Sequence, residues 1–319
     1  MLTLLSIFHK QPLGIKRAII RFDKTTVHAG DTLSGNVVLT GTERSLKKVT
    51  LVKVLFAGST HVSFACNTGK ICNFNQKLLK EERTVMDNTH ANVSSKNDRK
   101  NRYSSTSLDN ETRTLPFAIE LPETLPGSFE GHCGTTEYTA TLIVKEVGRI
   151  VNVRSKFKFF IVEQILGPTF TLKPLEINVD KRIKRGIIRL TGSLERTVYS
   201  SGDYIYFNGS MSNTSSVDIL TKCELVQRIS YNINNVVHAS TRVLSSCDDL
   251  KRCVRFAAEA APMTGSMAIP LDIPSSVTRC PSIEVAYFVL FTLMPCLSAA
   301  VTKKIRISIL VKRDEQMNN

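Results

Sequence analysis

Residues 115–144 read LPFAIELPETLPGSFEGHCGTTEYTATLIV, and this stretch carries the clearest fold signal in the sequence. Its second half is rich in threonine, tyrosine, isoleucine and valine, which is the composition of a β-strand. Pro122 and Pro126 lie before that strand. Because proline cannot donate a hydrogen bond to a sheet ladder, both fit strand edges and corners. The stretch therefore predicts a corner and a strand that carries Tyr138.

This corner has a counterpart later in the chain. FAIELPETL, which ends at Leu125, is echoed by IPLDIPSSV, which ends at Val277, and a strand with a tyrosine, Tyr138 or Tyr287, follows each segment. The same order of features in both halves predicts an internal duplication.

Two further echoes precede the corner in each half. The octapeptide IKRAIIRF at 15–22 returns as IKRGIIRL at 183–190, which places Ala18 opposite Gly186. KTTVHAGD at 24–31 aligns with RTVYSSGD at 196–203 after an insertion of four residues, so that Gly30 meets Gly202 and Asp31 meets Asp203. We therefore expect the octapeptide to open each of two similar domains.

Period-two alternation in IKRAIIRF predicts a half-buried antiparallel strand. Ala18, Ile20 and Phe22 fall on one face, and Arg17, Ile19 and Arg21 fall on the other. Similar strand patterns recur through the chain with turn signals about every ten residues, and only residues 75–87 offer a short helical window. The fold class predicted is all-β, with two tandem antiparallel β-sandwiches.

The pattern predicts where these domains lie. We expect an N-terminal sandwich over residues 1–165, with a polar loop at 87–113, and a C-terminal sandwich over residues 183–314. Residues 166–182, which contain Gly167, Pro168 and Pro174, fit a linker.

The composition is that of a globular protein, with 42% hydrophobic and 22% charged residues. No apolar run reaches the roughly 18 residues that cross a bilayer, and the first residues lack the leading charge and cleavage site of a signal peptide. The eight cysteines include no C-x-x-C, so we expect eight reduced thiols in the cytosol. The net charge of +14 favours anionic partners.

Several motifs in both halves belong together: FDKTTVHAGDTLSGNVVL, the 115–144 stretch, GSLERTVYSSGDYI, NTSSVDI, the Gln227 to Tyr231 spacing and CPSIEVAYFV. Through these motifs the sequence resembles the arrestin-domain proteins, specifically the α-arrestins. The resemblance implies arrestin-like, immunoglobulin-like sandwiches and a non-enzymatic adaptor or scaffold. Such a protein binds cytoplasmic segments of membrane proteins, in phosphorylated or unphosphorylated form, and influences their trafficking or endocytosis from the cytoplasmic side of the plasma membrane or endosomes.

The sequence departs from the family pattern in one respect that concerns partners. Many members carry Pro-Pro-x-Tyr motifs that WW domains of HECT-type ubiquitin ligases bind as polyproline II segments. This sequence has no Pro-Pro pair. Direct recruitment of a ubiquitin ligase by that route is therefore not expected.

The sequence offers no support for catalysis. The six histidines are scattered, and no zinc-protease, P-loop or dinucleotide-binding motif is present. Cys133 beside His132 is not expected to form a catalytic pair, because adjacent side chains in a strand face opposite ways. We therefore expect no cofactor and no metal. Nucleic acid is not expected as a partner either, since the sequence lacks tryptophan and a stacking-platform motif.

Basic residues are the candidate binding residues. They are expected to dock phosphorylated tails or anionic lipid headgroups, or else to form solvated outer faces that protect sheet edges. The candidates are Lys16, Arg17, Arg21, Lys181, Arg182, Lys184 and Arg185.

Two other functions stay open from the sequence. One is a sorting-coat subunit like the arrestin-like component of retromer, which would hold coat proteins at its sandwich edges. The other is a secreted, disulfide-bonded β-sandwich, which thiol counting under denaturing conditions would distinguish.

Overall fold

The computed structural model describes residues 15–66, 69–88, 110–147, 153–163, 173–183, 186–255, 260–296 and 302–312. Within these ranges the chain is mostly β-strand with almost no helix, as predicted. It divides into two compact units, residues 1–63 with 73–164 and residues 64–72 with 165–319. Among the described residues, no helix has the length and apolar character needed to cross a membrane.

The strands of the N-terminal half form one three-stranded and one larger sheet. Their bounds are β1 (Ile15–Phe22), β2 (Thr26–His28), β3 (Thr32–Thr42), β4 (Val49–Ala65), β5 (Ile71–Asp87), β6 (Asn110–Glu120), β7 (Phe129–Gly131), β8 (Gly134–Glu146) and β9 (Val153–Val162), with a single helical turn α1 (Glu43–Leu46). The small sheet has the order β1-β3-β6, and the larger sheet has the order β2-β9-β8-β4-β5 with β7 beside β8.

The N-terminal core lies between these two sheets. Phe22 and Phe117 come from the small sheet, and Phe56 and Phe159 come from the larger one. Their ring centroids lie 5.7 to 6.3 Å apart. Alternate residues of each strand therefore bury one face of each sheet in a shared core, which makes this unit a sandwich.

The C-terminal half repeats this arrangement. Its strands are β10 (Leu175–Ile183), β11 (Gly186–Leu194), β12 (Val198–Ser200), β13 (Tyr204–Asn213), β14 (Ile219–Ile233), β15 (Val236–Cys247), β16 (Cys253–Val254), β17 (Ala261–Ala268), β18 (Ile283–Pro295) and β19 (Lys303–Lys312), with a 3₁₀ turn at Asp248–Leu250. The sheet orders are β10-β11-β13-β17 and β12-β19-β18-β14-β15, with β16 beside β14.

The glycine turns of the two halves match. Gly30 has φ of 87° and Gly202 has φ of 89°, a left-handed conformation that glycine adopts without strain. The next residue in each half, Asp31 or Asp203, accepts a hydrogen bond from the backbone three residues upstream. The predicted pairing of these two turns is therefore consistent with the geometry.

The octapeptide repeat, in contrast, does not mark equivalent strands. IKRAIIRF is the whole of β1, whereas IKRGIIRL begins at the end of β10 and continues into β11, because β10 ends at Ile183 and β11 starts at Gly186. These two residues face each other across the β10–β11 ladder. The two copies of the octapeptide therefore have different positions in their strands, although both were predicted to open similar domains.

Strand register confirms the offset. Phe22 pairs with Gly35, and Leu194 pairs with Phe207. Each pair has the same spacing to the turn glycine of its own half, so Phe22 corresponds to Leu194 rather than to Leu190. The expected meeting of Ala18 with Gly186 is therefore not found.

Three other segments differ from their predictions. β10 (Leu175–Ile183) includes residues 175–182 of the predicted linker 166–182, and β6 (Asn110–Glu120) begins inside the predicted loop 87–113. The helical window at 75–87 lies in β5, where pairing with β4 overrides local helix propensity. Residues 89–109 and 164–172 lie outside the described residues.

The cysteines also differ from expectation. Cys66 and Cys72 form a disulfide, whereas eight free thiols were predicted. The intervening turn brings them together, since the Cys66 amide donates to the Lys70 carbonyl at 2.8 Å. The remaining six cysteines are free: Cys133, Cys223, Cys247, Cys253, Cys280 and Cys296.

Candidate anion-binding surface

Strand β1 presents two arginines on the outer face of the small N-terminal sheet. Ala18 and Ile20 are buried in the core, so the alternating positions Arg17 and Arg21 point to the opposite, exposed face. The period-two pattern in the sequence predicted this division correctly.

A shallow depression of about 260 Å³ lies between these arginines and the neighbouring strands. Arg17 faces Thr40 across the β1–β3 ladder, and Arg21 faces Asn36. Ile19 lies between the two arginines and faces Val38, which gives the depression an apolar floor. The complete lining is Arg17, Ile19, Arg21, Asn36, Val38, Thr40, Thr112 and Thr114.

The charge of this depression has one sign. Two guanidinium groups contribute to the lining and no carboxylate does. In the described part of the chain, neither Arg17 nor Arg21 has an ion-pair or hydrogen-bond partner on its side chain. Guanidinium, amide and hydroxyl groups are the donors that bind phosphate and carboxylate oxygens. The arrangement therefore suits an anion.

A second depression in the same unit has the opposite character. Glu81, Glu82 and Glu120 contribute to its lining. Its one cation, Arg83, donates through Nε to the Ala118 carbonyl at 3.1 Å. Because carboxylates dominate, this second depression does not suit an anion.

Lys16 lies beside the arginines but is not part of the depression. It is exposed, at a register irregularity between Ile15 and Arg17 where β1 departs from regular pairing with β3.

The described part of the predicted C-terminal cluster, Lys181 and Arg182, does not lie on one face of its sheet. Lys181 and Arg182 are consecutive in β10, where Lys181 is partly buried and Arg182 is exposed. Consecutive strand residues face opposite sides of a sheet, so the two cations are separated. Lys184 and Arg185 lie outside the described residues.

The nearby cation Arg189 is occupied. Its Nε and Nη2 atoms donate to the two carboxylate oxygens of Asp180 at 2.8 and 2.9 Å. The hydrogen bond from Arg189 holds the pKa of Asp180 below its usual value. Arg189 occupies the octapeptide position of Arg21, but Asp180 of β10 neutralises its charge. Among the described residues, β1 pairs only with β3 and has no strand in the place that β10 takes beside β11.

Sequence reasoning missed the neutral half of the depression. Asn36 and Thr40 lie on the outward-facing side of β3. Thr112 lies in the segment predicted as a loop, 87–113, and Thr114 lies just beyond it. Only Asn36 and Thr40 could have been found from the sequence, because they occupy outward positions of a recognisable strand.

Within the described residues, no group of three or more acidic, histidine or cysteine side chains is placed to hold a metal ion.

Comparison with known proteins identifies both halves. Residues 18–165 match the family model described as arrestin (or S-antigen), N-terminal domain. Residues 184–312 match the model described as arrestin (or S-antigen), C-terminal domain. No curated protein matches the sequence.

Proposed function

Because the chain belongs to the arrestin family, we propose that it is a non-enzymatic adaptor or scaffold of the α-arrestin type. It binds cytoplasmic segments of membrane proteins and influences their trafficking or endocytosis. Family membership and the sequence motifs support this proposal. The site of action is the cytosol, at the plasma membrane or endosomes, and neither a cofactor nor nucleic acid takes part.

The observation that carries the proposal is the presence on β1 of Arg17 and Arg21, whose side chains have no ion-pair partner among the described residues. Arg17 and Arg21 are four residues apart in a strand, so their Cα atoms are about 13 Å apart at roughly 3.3 Å per residue. An extended peptide has the same rise per residue. An extended peptide with anionic residues at positions i and i+4 would therefore place one anion beside each guanidinium group.

The floor of the depression adds a second requirement. Ile19 and Val38 lie midway between the arginines, where residue i+2 of an extended peptide would be. An apolar side chain there would bury against them. We therefore propose that the preferred ligand is an extended cytoplasmic tail with two phosphorylated or acidic residues flanking an apolar one.

The binding experiment uses the full chain and a fluorescent peptide with phosphoserine at i and i+4 and leucine at i+2. Charge-assisted contacts contribute roughly 1.5 to 3 kcal/mol each, so Arg17→Gln with Arg21→Gln should weaken binding by at least tenfold. Lys47→Gln is the matched control. It removes an exposed cation from the same unit, but that cation already forms an ion pair with Glu43. Equal affinity for the double variant and the control would move the site elsewhere.

The second basic segment remains part of the proposal as an independent contact. Lys181, Arg182, Lys184 and Arg185 would hold anionic tails or lipid headgroups, with each cation near an anionic surface adding about 1 kcal/mol. Replacement of all four by Gln should reduce sedimentation with vesicles that contain phosphatidylserine. Unchanged sedimentation in a folded variant would assign these residues to solubility alone.

Two alternatives have distinct outcomes. A retromer-type sorting-coat subunit would co-purify in stoichiometric amount with coat proteins rather than with cargo tails. A secreted sandwich would retain the Cys66–Cys72 disulfide when isolated from its native compartment with thiols blocked, whereas the cytosolic adaptor would yield these cysteines reduced. A ubiquitin ligase is not recruited directly, so isolated WW domains should not bind the chain.

A further inference from the structure

Strand β15 lies at the edge of the larger C-terminal sheet. Among the described residues it pairs with β14 alone, so one side of its backbone has no strand beside it. Val237 and Val243 have exposed fractions of 56% and 53%. A long edge strand with exposed β-branched side chains is a template on which another strand can pair.

The corresponding edge of the N-terminal unit is protected by charge. β5 is the last strand of its sheet and pairs with β4, just as β15 pairs with β14. The acidic and basic residues of β5 are Lys77, Lys80, Glu81, Glu82, Arg83 and Asp87. In β15 the same four residue types are represented by Arg242 alone. The C-terminal edge therefore lacks the charges that keep a second strand away.

The turn before β15 determines which of its backbone groups face the open side. Asn234 and Asn235 have φ of 50° and 68°, the left-handed conformations of a two-residue type I′ hairpin turn. In such a hairpin the flanking residues, Ile233 and Val236, form a hydrogen-bonded pair. Hydrogen-bonded pairs then recur at every second position of the antiparallel ladder.

A hydrogen bond on the far side of β14 agrees with this alternation. The Asn232 amide donates to the Ser282 carbonyl at 2.9 Å, toward β18 and away from β15. Asn232 faces Val237, so the amide and carbonyl of Val237 also point away from the β14–β15 ladder. The backbone groups that face the open side belong to Val237, Ala239, Thr241 and Val243.

The open side ends at a bulge near the end of β15. Val243 faces Val226, but the next paired residue is Ser245, so Leu244 is left out of the register. Beyond the bulge, the Ser245 hydroxyl donates to the Ala268 carbonyl of β17 at 2.8 Å. The open part of the edge is therefore residues 237–243.

This open part is complementary to itself. In an antiparallel pair centred on Ser240, Val237 faces Val243 of a second copy, and Ala239 faces Thr241. These four residues share one face of the strand, because they lie at alternate positions. Their outward amides and carbonyls can therefore form a regular ladder while neutral side chains meet in pairs.

The charge of the edge favours a second copy over an anionic tail. The face that carries Val237 and Val243 offers no cation to a phosphate or carboxylate group. On the other face, the two-fold arrangement places His238 opposite Arg242 of the second copy. The Arg242 Nε atom donates to the Gln227 Oε1 atom at 2.7 Å, which holds this guanidinium group over its own sheet.

We propose that two copies of the chain associate through β15, as antiparallel strands related by a two-fold axis at Ser240. The two larger C-terminal sheets then form one continuous sheet. One short strand from each copy buries less surface than the roughly 1,200 Å² of stable complexes, so the dimer is weak, with a Kd in the micromolar range.

The first experiment measures association of the full chain. Sedimentation velocity between roughly 1 and 100 µM should show a monomer–dimer equilibrium. Residue-resolved amide exchange should become slower with concentration at Val237, Ala239, Thr241 and Val243. The amides of His238 and Arg242 already bond to β14 and should not change. A monomer over the whole range, or protection confined to another strand, would overturn the proposal.

The second experiment tests the register. Val237→Lys places a lysine against Val243 of the second copy at both ends of the strand pair, and should weaken association roughly tenfold. Val237→Lys combined with Val243→Glu brings opposite charges face to face and should restore the affinity. Because both valines are exposed, the melting temperature should change little.

The control for register combines Val236→Lys with Val243→Glu. Val236 is also exposed, but it does not face residue 243 of the second copy in the proposed pair. This variant should therefore remain weakly associated. Equal affinities for all variants, or restoration by the control pair, would exclude the two-fold arrangement at Ser240.

Discussion

The hydroxyl group of Tyr138 donates a hydrogen bond to the carbonyl of Pro126 at 2.7 Å, within the buried core of the N-terminal unit. The C-terminal unit contains the same arrangement between Tyr287 and Pro274. Each tyrosine therefore anchors the corner that precedes its strand. These two corners, rather than the octapeptides, are the equivalent points of the internal repeat.

Removal of the Tyr138 hydroxyl should destabilise the N-terminal unit. Tyr138→Phe keeps the buried ring but leaves the Pro126 carbonyl without this donor, which costs about 1 to 3 kcal/mol. We expect the melting temperature of that unit to fall by roughly 2 to 12 °C in calorimetry. Tyr204→Phe is the control, because Tyr204 is exposed. Equal melting temperatures for the two variants would show that the corner bond contributes nothing.

Gly58 should tolerate no side chain. A Cβ atom there would lie 2.5 Å from two ring atoms of Tyr138, and that ring is fixed in the core. Gly58→Ala should therefore reduce stability by about 1 to 3 kcal/mol in urea unfolding. In Gly127→Ala the new Cβ would meet its nearest atom at 3.5 Å, an ordinary contact. A Gly58→Ala protein as stable as Gly127→Ala would contradict the close packing.

Loss of Arg189 should be visible in the titration of Asp180. The arginine lowers the pKa of the carboxyl by hydrogen bonding, so Arg189→Gln should move that pKa up toward its ordinary value. Because the folded-state pKa is depressed, the stabilisation is present above the unfolded-state pKa and is lost as pH falls through the folded-state value. Carboxyl carbon NMR would follow the change. A titration curve identical in both proteins would exclude the ion pair in solution.

The spacing of anionic groups should determine peptide affinity. If Arg17 and Arg21 each hold one anion, a peptide with phosphoserines at i and i+4 should bind at least tenfold more tightly than the same composition with phosphoserines at i and i+1. The difference should shrink between 0.1 and 1 M salt, as screening shortens from roughly 10 to 3 Å. Fluorescence anisotropy measures both effects. Equal affinities would indicate general charge attraction without register.

Local patterns predicted the strands well because burial alternates residue by residue. Arg17 and Arg21 could be placed outside the core from β1 alone. The helical prediction for residues 75–87 was wrong because this segment forms β5, which lies at the edge of its sheet in the described structure. Lysine and glutamate are common in edge strands, where they protect the exposed edge. Those residue types also favour helices, so composition could not separate the two.

The octapeptide misled for a different reason. Six identical residues out of eight describe local sequence, whereas strand identity depends on a partner distant in the chain. β10 pairs with the strand after it, and that partner divides the second copy between two strands. The proline corner was a better guide, because the carbonyls of Pro126 and Pro274 each accept a hydrogen bond from a tyrosine in a strand later in the same half.

The short strands β2 and β12 have a consequence for synthesis on the ribosome. Each pairs in parallel with the last strand of its own half, β2 with β9 and β12 with β19. Neither sandwich can close until that last strand has emerged. At roughly 5 to 20 residues per second, each half waits many seconds with unpaired strand edges. Nascent chains of this protein should therefore depend on chaperones that bind exposed β-strands, and a pause in translation just before β9 or β19 would prolong that dependence.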